Sequence, residues 1–203
     1  MSKQLTPIFD TGHGGVINGM YQTLGKRSPN WHKGVLYEGA ANRWIANKVM
    51  QRLDYEQLPY YHISPEFEDK SLTVRSNRAN KIHRKNRNTY GISVHFNAGG
   101  GTGWEIFTSP GETKSDYIAD VFIEEFKKDF PMKARLGGTK FLQKDKEAEF
   151  SILMRTNCPF ILLELGFMDN PVDYEKIWDL RFQELIVDKI VDSIKQVNEL
   201  YGV

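Results

Sequence analysis

Apolar residues along the chain recur at two periods, and the switches between them mark out strands and helices. "TPIF" predicts a short first strand, followed by a long polar loop over about 14–34. In "LYEGAANRWIANKVMQRL", Leu36, Ala40, Ala41, Trp44, Ile45, Val49 and Leu53 fall on one side, which is helical spacing. "LPYYHIS" predicts a second strand, "SLTVRSNRANKIHRKN" a second helix with a basic outer face, and "YGISVHFNA" a third strand. "GWEIFTS" predicts a fourth strand paired next to the third, with the glycine run "GGGTG" as a tight hairpin between them. "KSDYIADVFIEEFKKDF" reads as a helix, "TKFLQ" as a short strand, and Asp179 to Leu200 as a long amphipathic helix. "PFILLELGF" is the most apolar segment and predicts a buried central strand. Strands alternating with helices, with no repeat or linker, imply an α/β fold: one domain over 1–203, its mostly parallel or mixed sheet flanked by helices on both faces.

Composition narrows the classes. The 203 residues are 40% apolar and 12% aromatic, enough for a core and against disorder. Lys plus Arg total 27 against 26 Asp plus Glu; a net charge of +1 gives no support to a nucleic-acid or anionic-membrane surface. The single cysteine, Cys158, excludes an intrachain disulfide framework and a cysteine-based zinc cluster. No segment approaches the ~20 apolar residues of a membrane span. "MSKQLTPIFDTGHGG" is too short and polar before its glycines to be a signal peptide, so synthesis in the cytoplasm is expected.

Three predicted strands lead into unusual polar residues: His13 after the first, His95 at the end of "YGISVH" and Glu164 at the end of "PFILLE". Functional groups in open α/β sheets collect beyond the carboxyl ends of the strands. Glu38 adds a fourth group in the first turn of the first helix. Two histidines and one carboxylate form a recognised zinc-ligand set that leaves one position open for water. Zinc lowers the pKa of that water toward ~7 and polarises a carbonyl, and a carboxylate off the metal is then needed as general base. His13, Glu38 and His95 can supply the ligands and Glu164 the base. Each also has a plainer reading: a turn histidine, a favourable acid in a helix's first turn, a core histidine and a partnered carboxylate.

The motifs "DTGHGG", "LYEGAANRWIA", "VRSNRAN", "SVHFNA" and "LLELGFMDNPVDYEKI" occur in one order. In that order they resemble the zinc-dependent N-acetylmuramoyl-L-alanine amidases of the amidase type 3 family, from about Phe9 to the C-terminal helix. The resemblance implies one Zn2+ per chain on His13, Glu38 and His95, with Glu164 as the catalytic glutamate. It implies hydrolysis of the amide between N-acetylmuramic acid and the L-alanine of the stem peptide in peptidoglycan. The 14–34 segment is longer than expected for that family and is expected to form a flap beside the zinc; no separate cell-wall-binding domain is expected. The expected role is that of a phage or prophage endolysin or other cell-wall lytic enzyme, monomeric and released through a holin, which would reconcile a cell-wall substrate with the expected lack of a signal peptide. Alternatives are a zinc carboxypeptidase or endopeptidase acting within the stem peptide, a non-catalytic peptidoglycan-binding module and, third, a nucleotide-binding domain.

Other polar residues read as supporting structure. Asp10 is expected to anchor the turn or orient His13, Arg75 and Asn80 to serve as scaffold, and Asn97 to shape the site. His32, His62 and His83 read as surface or structural, and "GGGTG" lacks the lysine and hydroxyl residue of a P-loop. The basic stretch "NKIHRKNR" reads as a solvated helix face that could touch anionic cell wall.

Overall fold

The computed structural model describes residues 4–202. Eight strands and six helices follow in the order β1 (Thr6–Asp10), β2 (Val16–Ile17), β3 (Met20–Tyr21), α1 (Glu38–Tyr55), β4 (Tyr61–His62), α2 (Leu72–Lys85), β5 (Thr89–Asn97), β6 (Glu105–Thr108), α3 (Lys114–Lys127), β7 (Lys146–Glu147), α4 (Ser151–Met154), β8 (Phe160–Phe167), α5 (Pro171–Ile177) and α6 (Leu180–Tyr201). The central sheet runs β4-β1-β5-β8-β6-β7. β4, β1, β5 and β8 are mutually parallel, β6 pairs antiparallel with β8, and β7 parallel with β6. This is the mixed α/β sheet expected from the strand–helix alternation.

Side chains alternate across each strand, and that alternation separates two cores. Phe9, Ile92, Val94, Ile161, Leu163 and Leu165 join the larger one, against α1, α3 and α6. Ile8, Phe160 and Leu162 join the smaller one with Ile63, Ile152 and Leu153, under α2 and α4. The parity of the second set continues to Asp10, Ser93, His95 and Glu164. One sheet face is therefore apolar at its amino end and polar at its carboxyl end. Gly91 makes the apolar part close, because a Cβ there would stand 2.0 Å from the Phe160 ring.

Three expectations need correction. The run "GGGTG" is not a hairpin between adjacent strands, since β8 lies between β5 and β6. The apolar "PFILLELGF" takes the central place, and the glycines cross over it. "TKFLQ" is a turn: Leu142 adopts φ +59° and its N–H donates to Asp120 Oδ2 at 2.8 Å, while the edge strand forms at Lys146–Glu147. The polar loop over about 14–34 contains a β-hairpin, β2–β3. Its turn is Asn18-Gly19, both with positive φ, the backbone a type I′ turn needs.

Because a Cβ at Gly91 would stand 2.0 Å from the Phe160 ring, Gly91→Ala is expected to force ring or strand displacement. The cost expected is about 1–3 kcal/mol, read as a lowered midpoint in urea unfolding. An unchanged midpoint would show that the sheet relaxes freely there.

Candidate active site

β1, β5 and β8 end side by side at the carboxyl edge, and His95 pairs directly across from Glu164 in the β5–β8 register. After β1 the chain turns sharply: Gly12 and His13 take φ of +52° and +45° in succession. Gly12 is needed for space as well, since a Cβ would lie 2.5 Å from Cε1 of His95. The Arg43 guanidinium pins this turn by donating to the carbonyls of His13 and Glu66, each at 2.6 Å.

Glu38 arrives from the opposite direction, as the first residue of α1. Its helix has no side-chain N-cap, so the free N–H groups of the first turn need other acceptors. The 14–34 segment provides them. Glu38 N–H donates to the Lys26 carbonyl at 3.0 Å, and Gly39 N–H donates to the Tyr21 hydroxyl at 2.9 Å. This segment is thus the cap that fixes where Glu38 stands.

His13, Glu38 and His95 converge. One potential ligand atom from each lies within 4.8 Å of the other two. Glu38 Oε1 is 3.2 Å from His13 Nε2 and 2.8 Å from His95 Nδ1, and the two imidazoles meet edge to face. Burial alone would raise the Glu38 pKa, but hydrogen bonds from the two histidines hold it well below the usual carboxylate range. Burial disfavours the His95 cation, yet Glu38, with Glu164 and Asp10 adding to it, raises that pKa. A buried carboxylate between two imidazoles is the donor set that a divalent zinc ion takes, so these residues fit the metal that the sequence resemblance implies.

The other ring nitrogen of His95, Nε2, lies 3.1 Å from Ser93 Oγ. Ser93 donates to Asp10 Oδ2 at 2.8 Å, and Asp10 accepts from Ser64 at 3.0 Å and from both Arg75 contacts at 2.8 and 3.1 Å. Asp10 therefore supports His95 through Ser93. Of the two roles expected of Asp10, it anchors the turn, through Ser64 and the Thr11 N–H that Ser64 accepts, and it does not orient His13, since its oxygens are taken up by Ser64, Arg75 and Ser93. Support of this kind fixes the ring and leaves Nδ1 for a ligand.

Glu164 has a different environment. Oε2 is buried and has no hydrogen-bond partner. Burial pushes its pKa up to about 8, opposed by positive His95 and reinforced by Glu38 and Glu105. It lines a cavity of 410 Å³ together with His13, Glu38 and His95.

Among the remaining expectations, Arg75 and Asn80 are scaffold. Asn80 ties α2 to the loop before β8 through Arg155 O and Asn157 N. Asn97 lines the cavity and donates to Glu105 Oε2 at 2.6 Å. His32 is exposed and pairs with Glu175, and His83 is buried against Thr89. His62 is partly buried, and desolvation lowers its pKa to about 4. The sequence reading missed Lys26, Phe150 and Ser151, which also line the cavity. Lys26 belongs to the 14–34 segment, and the other two sit where the unforeseen α4 begins. No periodic signal marks so short a helix.

Potential metal ligands and an unpartnered carboxylate, gathered at strand ends of an α/β sheet, define a hydrolase-like site. The chain belongs to the N-acetylmuramoyl-L-alanine amidase family, whose family model matches residues 8–196. It is 36% identical over 117 residues to N-acetylmuramoyl-L-alanine amidase CwlM of Bacillus licheniformis, covering 57% of this chain and 42% of that one. It is 26% identical over 203 residues to an uncharacterized cell wall amidase of Bacillus anthracis, covering 92% of this chain and 35% of that one. The chain thus spans less than half the length of either curated relative. In fold it matches the crystal structure of N-acetylmuramoyl-L-alanine amidase from Clostridium difficile 630, with a TM-score of 0.76 at 22% identity over 99% of this chain and 100% of that one.

Two outcomes test the site as described. Zinc added to chelator-treated protein is expected to raise the melting temperature, by the equivalent of about 2.7 kcal/mol at a hundred times its Kd. His95→Ala should abolish that rise; an equal rise in the variant would place the metal elsewhere. Arg75→Met, which leaves Asp10 buried and unpaired, is expected to cost about 3–5 kcal/mol in chemical unfolding. A cost under about 1 kcal/mol would remove this ion pair from the supporting structure.

Proposed function

We propose that this protein is a zinc-dependent N-acetylmuramoyl-L-alanine amidase that hydrolyses the amide between the lactyl group of N-acetylmuramic acid and L-alanine in peptidoglycan. The observation that carries this reading is the juxtaposition of the His13–Glu38–His95 cluster with the unpartnered Glu164 carboxylate in one cavity. Membership of the amidase family supports the choice of bond.

His13, Glu38 and His95 would hold the zinc, and Glu164 stands apart from their hydrogen bonds. Zinc bound there would supply a Lewis acid for the lactyl carbonyl and acidify the attacking water. Glu164 in its ionised form accepts a proton from that water as the new C–O bond forms. The same carboxyl then gives the proton to the L-alanine nitrogen as the C–N bond breaks, so a neutral amine departs. A pKa raised by burial suits both halves of this task, since the group must take a proton and release it. A cation next to Glu164 favours its ionised form. Asp10 and Ser93 keep the His95 ring in one orientation throughout.

The test is the identity of the amino termini released from defined peptidoglycan. New L-alanine termini are expected, and termini of later stem residues would replace the amidase reading with an endopeptidase one. Glu164→Gln is expected to lower turnover about 10²–10⁴-fold with zinc content unchanged by elemental analysis. Turnover near the wild-type rate would remove Glu164 as the base.

A further inference from the structure

The basic stretch Asn80–Arg87 takes no part in the strand-end site, and it ends beside a second cavity. This cavity has a volume of 600 Å³ and lies at the amino ends of the strands, lined by Leu5, Thr89, Tyr90 and Pro159. Three basic groups reach it: His83 and Arg87 from the end of α2 and just beyond, and Lys114 at the start of α3. His83 is buried, with Nδ1 held 2.8 Å from Thr89 Oγ1. Burial lowers its pKa, and Arg87 and Lys114 lower it further, which places both charges near the ring. Among the described residues neither Arg87 nor Lys114 has a carboxylate within ion-pairing distance, although 19 such pairs form elsewhere.

The wall of the cavity adds a second, independent observation. Tyr90 is wholly buried, lines the cavity, and its hydroxyl has no hydrogen-bond partner. A buried hydroxyl without a partner is costly, and most such groups in folded proteins are satisfied. Two cations without a carboxylate partner among the described residues, in a cavity whose wall includes the residue carrying an unsatisfied hydroxyl, suit an anion. Tyr117, Ile118 and Tyr201 supply aromatic and apolar surface around it.

We propose that this cavity binds a phosphate group carried on a small polyol or sugar, with Arg87, Lys114 and the Tyr90 hydroxyl as donors. The donors come from separate elements, the α2–β5 turn, α3 and β5. A planar carboxylate is satisfied by one arginine fork; donors spread over three elements match an anion with three acceptor oxygens. Tyr117, Ile118 and Leu5 contact the carbon skeleton. The site shares no residue with the His13–Glu38–His95 cluster, so it stands or falls independently of the amidase reading. On a substrate that carries such phosphates, it would hold the protein by one end of the sheet while the other end works, raising the local concentration.

The experiment is an NMR and calorimetric titration of the full chain with glycerol 3-phosphate and, separately, with inorganic phosphate. Saturable binding of glycerol 3-phosphate is expected, with shift changes centred on Thr89–Gly91 and Lys114–Ile118. Affinity should fall at least tenfold in Arg87→Gln/Lys114→Gln, whose side chains are exposed and whose loss should leave folding intact. It should fall several-fold in Tyr90→Phe, with no loss of melting temperature, because the hydroxyl has no internal partner to lose. No saturable binding, or equal affinity in the double variant, would overturn the site. Inorganic phosphate binding as tightly as glycerol 3-phosphate would overturn the carbon-bearing ligand, and shift changes centred on His13 and His95 would move the binding to the other cavity.

Discussion

The carboxylate of Asp10, sealed under the end of β1, is the constraint around which the functional edge is arranged. It is wholly buried and answers that burial with Arg75, Ser64 and Ser93. Those partners come from α2, the segment after β4, and β5. One ionised group therefore ties the helix of one face to three neighbouring chain segments. Through Ser93 it also reaches the back of the His95 ring. A charge at this depth is tolerable only when fully partnered, so the residues around it have little freedom to move. That rigidity is what a ligand set drawn from distant parts of the chain requires.

A second constraint works from the other side. The α1 amino terminus has no capping side chain of its own and is completed by backbone and hydroxyl groups of the long segment after His13. Glu38 is held where that segment places it, and the hairpin β2–β3 with its Asn-Gly turn gives the segment its shape. Glu164 is left without such partners. Its high pKa and the low pKa of Glu38 arise from one difference: Glu38 has two imidazoles to neutralise it and Glu164 faces a largely unpartnered site.

Much of this was legible in the residues. Periodicity located α1, α2, α3 and α6 to within a few positions, and the apolar run of "PFILLELGF" identified the strand at the sheet's centre. Its unbroken apolar run follows from burial on both sheet faces, one under each core. The order of strands beyond it was not legible, because a glycine run can close a hairpin or cross over a strand with the same local chemistry. The hairpin at Asn18-Gly19 carried a strong turn signal inside "VINGMY", overlooked because each of its strands is two residues long. At the site, polar residues at strand ends pointed to His13, His95 and Glu164. Nothing local could reveal that Ser93 and Asp10 serve His95, since that depends on parallel register between β1 and β5. Lys26 lies in an irregular segment and Phe150 and Ser151 at the start of a four-residue helix, where no periodic signal exists.

The proposed chemistry depends on His13, Glu38 and His95 forming one metal centre. The most direct measurement is an anomalous difference map, at the zinc absorption edge, from crystals grown with zinc. One strong peak is expected about 2.0–2.2 Å from His13 Nε2, a Glu38 carboxylate oxygen and His95 Nδ1. A map without a peak there, or with its strongest peak at the exposed His32–Glu175 pair, would contradict it.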